Sequence, residues 1–274
     1  MYYKHNLNYV YPERSDEHMI TVKKVRTTVY DENYPFIKKG FWYSVSRVFL
    51  WILLNVIAFP LLHITHGLKI YGRENLKKYK KELKNGAITI CNHVFMWDTV
   101  CVLKAIRPRL FRFPAWKTNL DGPNGPMIRW AGGIPVPTGD MRAMVRFKHA
   151  LEEAFQGKQW VHFFPEGSMW FFYPDIRPLK KAVFKYAVKY NKPLVPLAIS
   201  FRPRKGIAKL WGKTPRADIH IGEPLFADAT LSPKEAEEKM HKQAYHVMQE
   251  MVGITPEHPA YRTDQNIETY KKTM

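Results

Sequence analysis

The sequence predicts an α/β protein: a mostly parallel or mixed sheet flanked by helices, preceded by an apolar, membrane-associating helical segment. Three observations predict this. Short apolar runs alternate with segments of helical period across residues 87–225, the arrangement that builds a sheet with helices on its faces. The most apolar stretch of the chain, residues 41–62, stands ahead of that alternation. Ser232-Pro233-Lys234-Glu235 then opens a last helix, with Pro at its first position and a Ser/Glu capping box.

Taken in order, residues 1–40 are polar, basic and rich in Tyr, without helical or alternating period. They lack the order of a signal peptide and read as an extended or partly ordered arm. Residues 41–67 form the apolar segment. Its uninterrupted core, residues 48–62, is 15 residues long and contains Asn55 and Pro60. A membrane span needs about 20 predominantly apolar residues, and Arg47 falls inside any window that long. An interfacial or half-buried hairpin is therefore expected. It would hold Trp42, Tyr43 and Trp51 at headgroup depth and Lys38, Lys39 and Arg47 on anionic lipid. A buried core helix is the alternative.

From Lys69 the chain changes character. Residues 77–84 (KKYKKELK) read as a solvated basic helix. Strands are expected at 87–91, 110–116, 133–136, 160–164, 194–200 and 217–221. Helices are expected at 99–106 and 178–190, and through Met141, Met144, Val145, Leu151, Ala154 and Phe155, which recur at helical spacing. Ala236, Met240, Ala244, Val247, Met248 and Met251 give the last helix one apolar face. The predicted division is an arm (1–40), an apolar segment (41–67), an α/β domain (68–230), and a C-terminal amphipathic helix with a tail (231–274).

Composition narrows the function. At 274 residues, 46% hydrophobic and 24% charged, the chain is that of an ordinary globular protein, which excludes general disorder and collagen-like structure. Cys91 and Cys101 are the only cysteines and make no disulfide framework, in keeping with a reducing, cytosolic setting. With 43 Lys+Arg against 24 Asp+Glu, the net charge is +19, which favours polyanionic partners: nucleic acid, anionic lipid headgroups or an acidic carrier protein. Charge alone does not choose among them. No nucleic-acid reader motif, such as an aromatic ribonucleoprotein block or zinc spacing, accompanies the basic residues, so nucleic acid is not the expected partner.

Two clusters can carry chemistry. In Asn92-His93-Val94-Phe95-Met96-Trp97-Asp98 a strand delivers His93 to its carboxyl end, where open α/β sheets place their sites. On a regular helix, five residues give about 140° of rotation, so His93 and Asp98 would not share a face. On a turn entering a helix the carboxylate can swing back onto the imidazole, fix its tautomer and leave the other nitrogen as a general base. That is a His–Asp pair without a protein nucleophile, as needed when the substrate's own hydroxyl attacks. The second cluster, Phe163-Phe164-Pro165-Glu166-Gly167-Ser168, brings a carboxylate, a hydroxyl and a permissive Gly to a strand end, to bind polyol hydroxyls or position an acyl carbonyl. His63 and His66 lack further ligands for a metal, and Cys91 reads as a small core residue.

Together NHVFMWD and FFPEGS resemble the signature of the glycerolipid acyltransferases, the family that includes the 1-acylglycerol-3-phosphate acyltransferases. The family shows NHxxxxD, a Gly/Ile block, FPEG[ST] and a Val-Pro strand in this order. Here they are Asn92 to Asp98, Gly133-Ile134, Phe164 to Ser168 and Val195-Pro196. The resemblance covers residues 68–225, and the apolar segment also looks like the family's membrane-associating helices. It implies His93 as general base and Asp98 as its orienter, with Asn92, Glu166, Gly167 and Ser168 at the substrate site. It implies acyl transfer from a thioester donor, acyl-CoA or acyl-carrier protein, to a lysophospholipid acceptor at the cytoplasmic face of an anionic membrane, with peripheral or monotopic attachment and no metal or other cofactor. The most specific reaction it implies is 1-acylglycerol-3-phosphate to phosphatidate. Two features depart from the family. Pro137-Thr138 stand where Asp-Arg is usual, and Met169 follows Ser168 where Arg is usual. Lys117, Arg142, Arg146 and Arg177 are near enough in sequence to supply the phosphate-gripping charge instead, with Arg142, behind the Gly139 turn, the best placed. A different lysolipid or glycolipid acceptor, or a non-catalytic basic lipid-binding protein, are the alternatives.

Overall fold

The computed structural model describes residues 2–267 apart from 6, 16, 21 and 266; the end of the predicted tail, 268–274, lies outside them. The apolar runs form β1 (Lys69–Tyr71), β2 (Ile88–Ile90), β3 (Phe111–Trp116), β4 (Gly133–Val136), β5 (Trp160–Phe163), β6 (Leu194–Arg202) and β7 (Arg216–Ile221). They join in one sheet of order β1-β7-β6-β2-β5-β3-β4. Five strands are parallel, while β7 pairs antiparallel with β6 and carries β1 beside it in its own direction. β2 is buried at every residue, as befits a central strand covered on both faces. The carboxyl ends of β2, β5, β3 and β6 and the amino ends of β7 and β1 therefore share one edge.

The helices are α1 (Phe41–Leu53), α2 (Phe59–His66), α3 (Arg73–Lys78), α4 (Asp98–Ile106), α5 (Lys117–Asp121), α6 (Gly125–Trp130), α7 (Met141–Gln156), α8 (Ala182–Lys189) and α9 (Pro233–Met251). One apolar layer holds α1, α2 and α4; the other holds α7, α8 and α9. The Ser232 hydroxyl accepts from the Glu235 amide while the Glu235 carboxylate accepts from Ser232, so the expected capping box closes.

Three local expectations are corrected. The apolar segment is one continuous helix, Phe41–His66, of 26 residues, not a hairpin. At 1.5 Å per residue it is about 39 Å long. It is long and apolar enough to cross a membrane. A π-turn at Leu54–Ala58 widens the helix just ahead of Pro60, whose ring has no N–H and would crowd the carbonyl four residues back. Arg47 faces protein rather than lipid, donating to the carbonyls of Phe111 (3.2 Å), Trp130 and Ala131. Tyr43 accepts from Arg112 and Trp51 donates to Pro108 O, so they too face the protein. The basic run 77–84 is split into the end of α3 and a 3₁₀ turn at Glu82–Asn85, with Leu76 and Leu83 buried; like charges at helical spacing oppose a single helix there. The helix expected at 178–190 begins at Ala182, because the Lys180 amide is held by Pro165 O (2.8 Å).

The arm is extended, as expected, and fastened along its length. Asp121 O accepts from the amides of Val25 and Arg26. Arg129 donates to the carbonyls of Pro35 and Phe36.

Candidate active site

β2 ends at Ile90, and Asn92 continues its path by side chain. The Asn92 amide donates to Ile199 O (3.0 Å) and accepts from Ile199 N (2.7 Å) on β6, mimicking a strand pair. This fully buried residue, expected at the substrate site, fixes where the chain leaves the sheet. Over the next turn Val94 and Phe95 point inward and Met96 and Trp97 outward, and the Asp98 amide returns to Phe95 O (3.0 Å). Asp98 thus starts α4, where the helix dipole favours its charge. One carboxylate oxygen accepts from Thr99 N; the other meets His93 Nδ1. The turn brings together the pair that a regular helix would separate. His93 Nε2 is left without a protein partner among the described residues, on a side chain 23% exposed. The ring lies 4.1 Å from that of Phe164, nearly parallel.

The Phe164–Ser168 loop lies beneath the imidazole. Glu166 accepts from His93 N (2.9 Å) and Arg177 N (3.0 Å), and pairs with the Arg177 guanidinium at 2.7 Å. The Ser168 hydroxyl donates to Ser15 O (3.0 Å) and accepts from Arg177 (2.7 Å). Glu166 and Ser168, both expected to touch substrate, are buried under the site and hold its floor. Gly167 has φ 84°, and an added Cβ would lie 2.7 Å from Lys180 Nζ. That left-handed turn suits Gly.

The expected cations have the following surroundings. Arg177 is fully buried, sits 4.5 Å from the Trp170 ring centre, and also donates to Ser15 O and Ser168 O. It serves Glu166 rather than a phosphate. Arg142 is 81% exposed and faces Glu32 at 3.5 Å, a surface pair. Arg146 is exposed. Lys117 Nζ lies 5.5 Å from the Tyr30 ring centre.

Sequence reasoning missed the arm's place here. Ser15 O caps Ser168 and Arg177, Glu17 O accepts from Trp170, and His18 stacks on Trp116 at the end of β3 (3.8 Å). The only signal was the arm's density of Tyr and His. Also missed was His162, wholly buried between Phe111 and Phe164, with Nδ1 2.9 Å from Thr89 Oγ1. Burial first, then the nearby charge of His93, pushes its pKa down to about 3. Burial drives the Cys91 thiol up, so it is no ready thiolate. His63 adjoins Leu68 O and His66 packs on Phe95, so the two do not converge.

The fold thus places a carboxylate-held histidine after β2 beside a Pro-Glu-Gly-Ser loop after β5. Residues 67–200, just under half of the chain, match the Acyltransferase family model. Among solved structures, the chain is similar to the crystal structure of the 1-acyl-sn-glycerophosphate (LPA) acyltransferase PlsC from Thermotoga maritima. The TM-score is 0.50 and the identity 21%, over 77% of this chain and 87% of that one, a likeness of fold. No protein of curated function matches the chain.

Proposed function

We propose that the protein is a membrane-surface O-acyltransferase that moves a fatty acyl group from a thioester, acyl-CoA or acyl-carrier protein, to a lysolipid hydroxyl. The observation carrying this reading is His93, bound through Nδ1 to Asp98 and open at Nε2. Nε2 takes the acceptor's proton as its oxygen attacks the thioester carbonyl; Asp98 stabilises the imidazolium. The tetrahedral adduct collapses, the C–S bond breaks, and the imidazolium returns the proton to the thiolate. The products are an ester and a free thiol.

By analogy with PlsC, a 1-acyl-sn-glycerophosphate acyltransferase, the acceptor is 1-acylglycerol-3-phosphate and the product phosphatidate. A second reading, a lysolipid or glycolipid without a phosphomonoester, is favoured by one observation: Arg177 is bound to Glu166 and Arg142 is paired at the surface. The membrane placement is monotopic, at the cytoplasmic face. Helix 41–66 turns Leu50, Leu54, Phe59 and Leu62 into the core and leaves an apolar stripe, including Val48, Ile52, Val56 and Ile64, exposed. The test is thiol release with a panel of acceptors, wild type beside His93→Ala. Transfer to lysophosphatidate alone supports the first reading, transfer to uncharged acceptors the second, and full activity of the variant refutes the mechanism.

A further inference from the structure

The β6–β7 connection is unlike the other surface turns. Residues 204–213 carry Ile207 (81% exposed), Leu210 (82%) and Trp211 (56%), interleaved with exposed Lys205, Lys209 and Lys213. No acidic residue occurs between Arg202 and Arg216. The turn is nevertheless built. The buried Arg204 guanidinium donates to Thr214 O (2.5 Å) and Ala208 O (3.3 Å), closing the loop on itself. Positive φ at Gly206 (55°) and Gly212 (113°) bounds its 3₁₀ helix, Gly206–Trp211. The apolar side chains are held outward by a stapled frame.

Its position is equally specific. Asn92 is level with Ile199, and β6 continues three residues further to Arg202, about 10 Å at strand rise. The tip thus projects past the level of His93 on the same edge of the sheet. Arg202 ties the hairpin base to Asp218 (2.8 Å) and to Gly67 O, where helix 41–66 ends. His66 in turn packs on Phe95 of the catalytic turn, whose Met96 is 66% exposed.

We propose that the tip at residues 204–213 is a preformed wedge that inserts into an anionic bilayer and, with the exposed face of helix 41–66, turns the His93 edge toward the lipid. This rests on the membrane-surface reading above and adds a second point of attachment. Alternating aliphatic, Trp and Lys side chains suit an interface where apolar groups enter the acyl boundary and ammonium groups stay with anionic headgroups. Two separated attachments fix orientation, whereas one helix leaves rotation about its axis free.

The test uses the full chain with phosphatidylcholine vesicles containing phosphatidylglycerol. Because Cys91 and Cys101 are buried, Leu210→Cys can be labelled with an environment-sensitive fluorophore, beside Lys81→Cys at the opposite edge. The expected result is a vesicle-dependent blue shift at 210 and none at 81. An Ile207→Ser/Leu210→Ser/Trp211→Ser variant should lose about tenfold or more in vesicle affinity, with transfer to a water-soluble short-chain acceptor unchanged. Wild type that binds vesicles while the triple variant binds equally, with no shift at 210, overturns the wedge and leaves the membrane reading standing. Wild type that does not bind overturns both. Lipid-free self-association abolished by the triple variant would assign the tip to a second copy and also overturn it. Thiol release in His93→Ala tests the acyl-transfer reading independently.

Discussion

Arg177→Met probes the floor of the site most directly. Arg177 and Glu166 form an ion pair with both side chains at 0% exposure. Removing one partner of a buried pair typically costs about 3–5 kcal/mol, because the other charge stays buried and unpaired. Here Glu166 keeps two backbone donors, His93 N and Arg177 N. That places the expected loss near the lower end, about 3 kcal/mol, against a typical total of about 5–15 kcal/mol. Adding Glu166→Gln removes the stranded charge, so the double variant should recover about 1–2 kcal/mol over Arg177→Met alone. Urea unfolding followed by tryptophan fluorescence suits the measurement, since Trp170 lies against the guanidinium. The same variants should lose kcat with little change in KM, because the His93 backbone is anchored through Glu166. Arg177→Met within about 1 kcal/mol of wild type, or a double variant less stable than the single one, would refute this account.

His93→Ala and Asp98→Ala should each lower thiol release about 10²–10⁴-fold in proteins that keep their near-ultraviolet circular dichroism; a tenth of wild-type activity in folded His93→Ala is too much for the mechanism. His162, held neutral with a pKa of about 3, binds fewer protons folded than unfolded, so stability falls as pH drops below the unfolded value of about 6.5. Between pH 7.5 and 5.0 this term amounts to about 2 kcal/mol, and His162→Gln should flatten the pH dependence of urea unfolding by that much; equal slopes would contradict it. The protein should stay on anionic vesicles at 1 M salt, where the Debye length is about 3 Å, because the exposed stripe of helix 41–66 is not screened. Complete release in a sedimentation assay would place that stripe against protein.

Much of the fold was legible because buried strands have a simple sequence form. Ile88-Thr89-Ile90 and Leu194 to Ile199 are short apolar runs bounded by turns, and Ser232 to Glu235 encodes a helix start by local side-chain bonds. The His93–Asp98 contact was legible only as a conditional, since it depends on the turn through Phe95. What failed were inferences from single residues that the tertiary structure overrides. Arg47 and Pro60 argued against a continuous helix, but carbonyls at Phe111 and Ala131 receive the one and a π-turn accommodates the other. The arm's docking left no period, because it is held through scattered carbonyls such as Ser15 O and Asp121 O. The place of Arg177 was hidden for a related reason: it reaches Glu166 through an irregular segment with no motif.

Consider which groups around His93 are available to attack a thioester. Glu166 has each carboxylate oxygen engaged, one by Arg177 N and the other by His93 N and the guanidinium. The Ser168 hydroxyl donates to Ser15 O and accepts from Arg177, with no exposed surface. Cys91 is fully buried with its thiol held protonated. Each of these candidate nucleophiles is occupied or enclosed, while Nε2 of His93 has no protein partner among the described residues, on a side chain 23% exposed. This arrangement supports the proposed role of His93 as a base toward an oxygen brought to it. On the proposed acyl-transfer reading, the attacking oxygen arrives on the acceptor, and the acyl group passes directly from donor to acceptor.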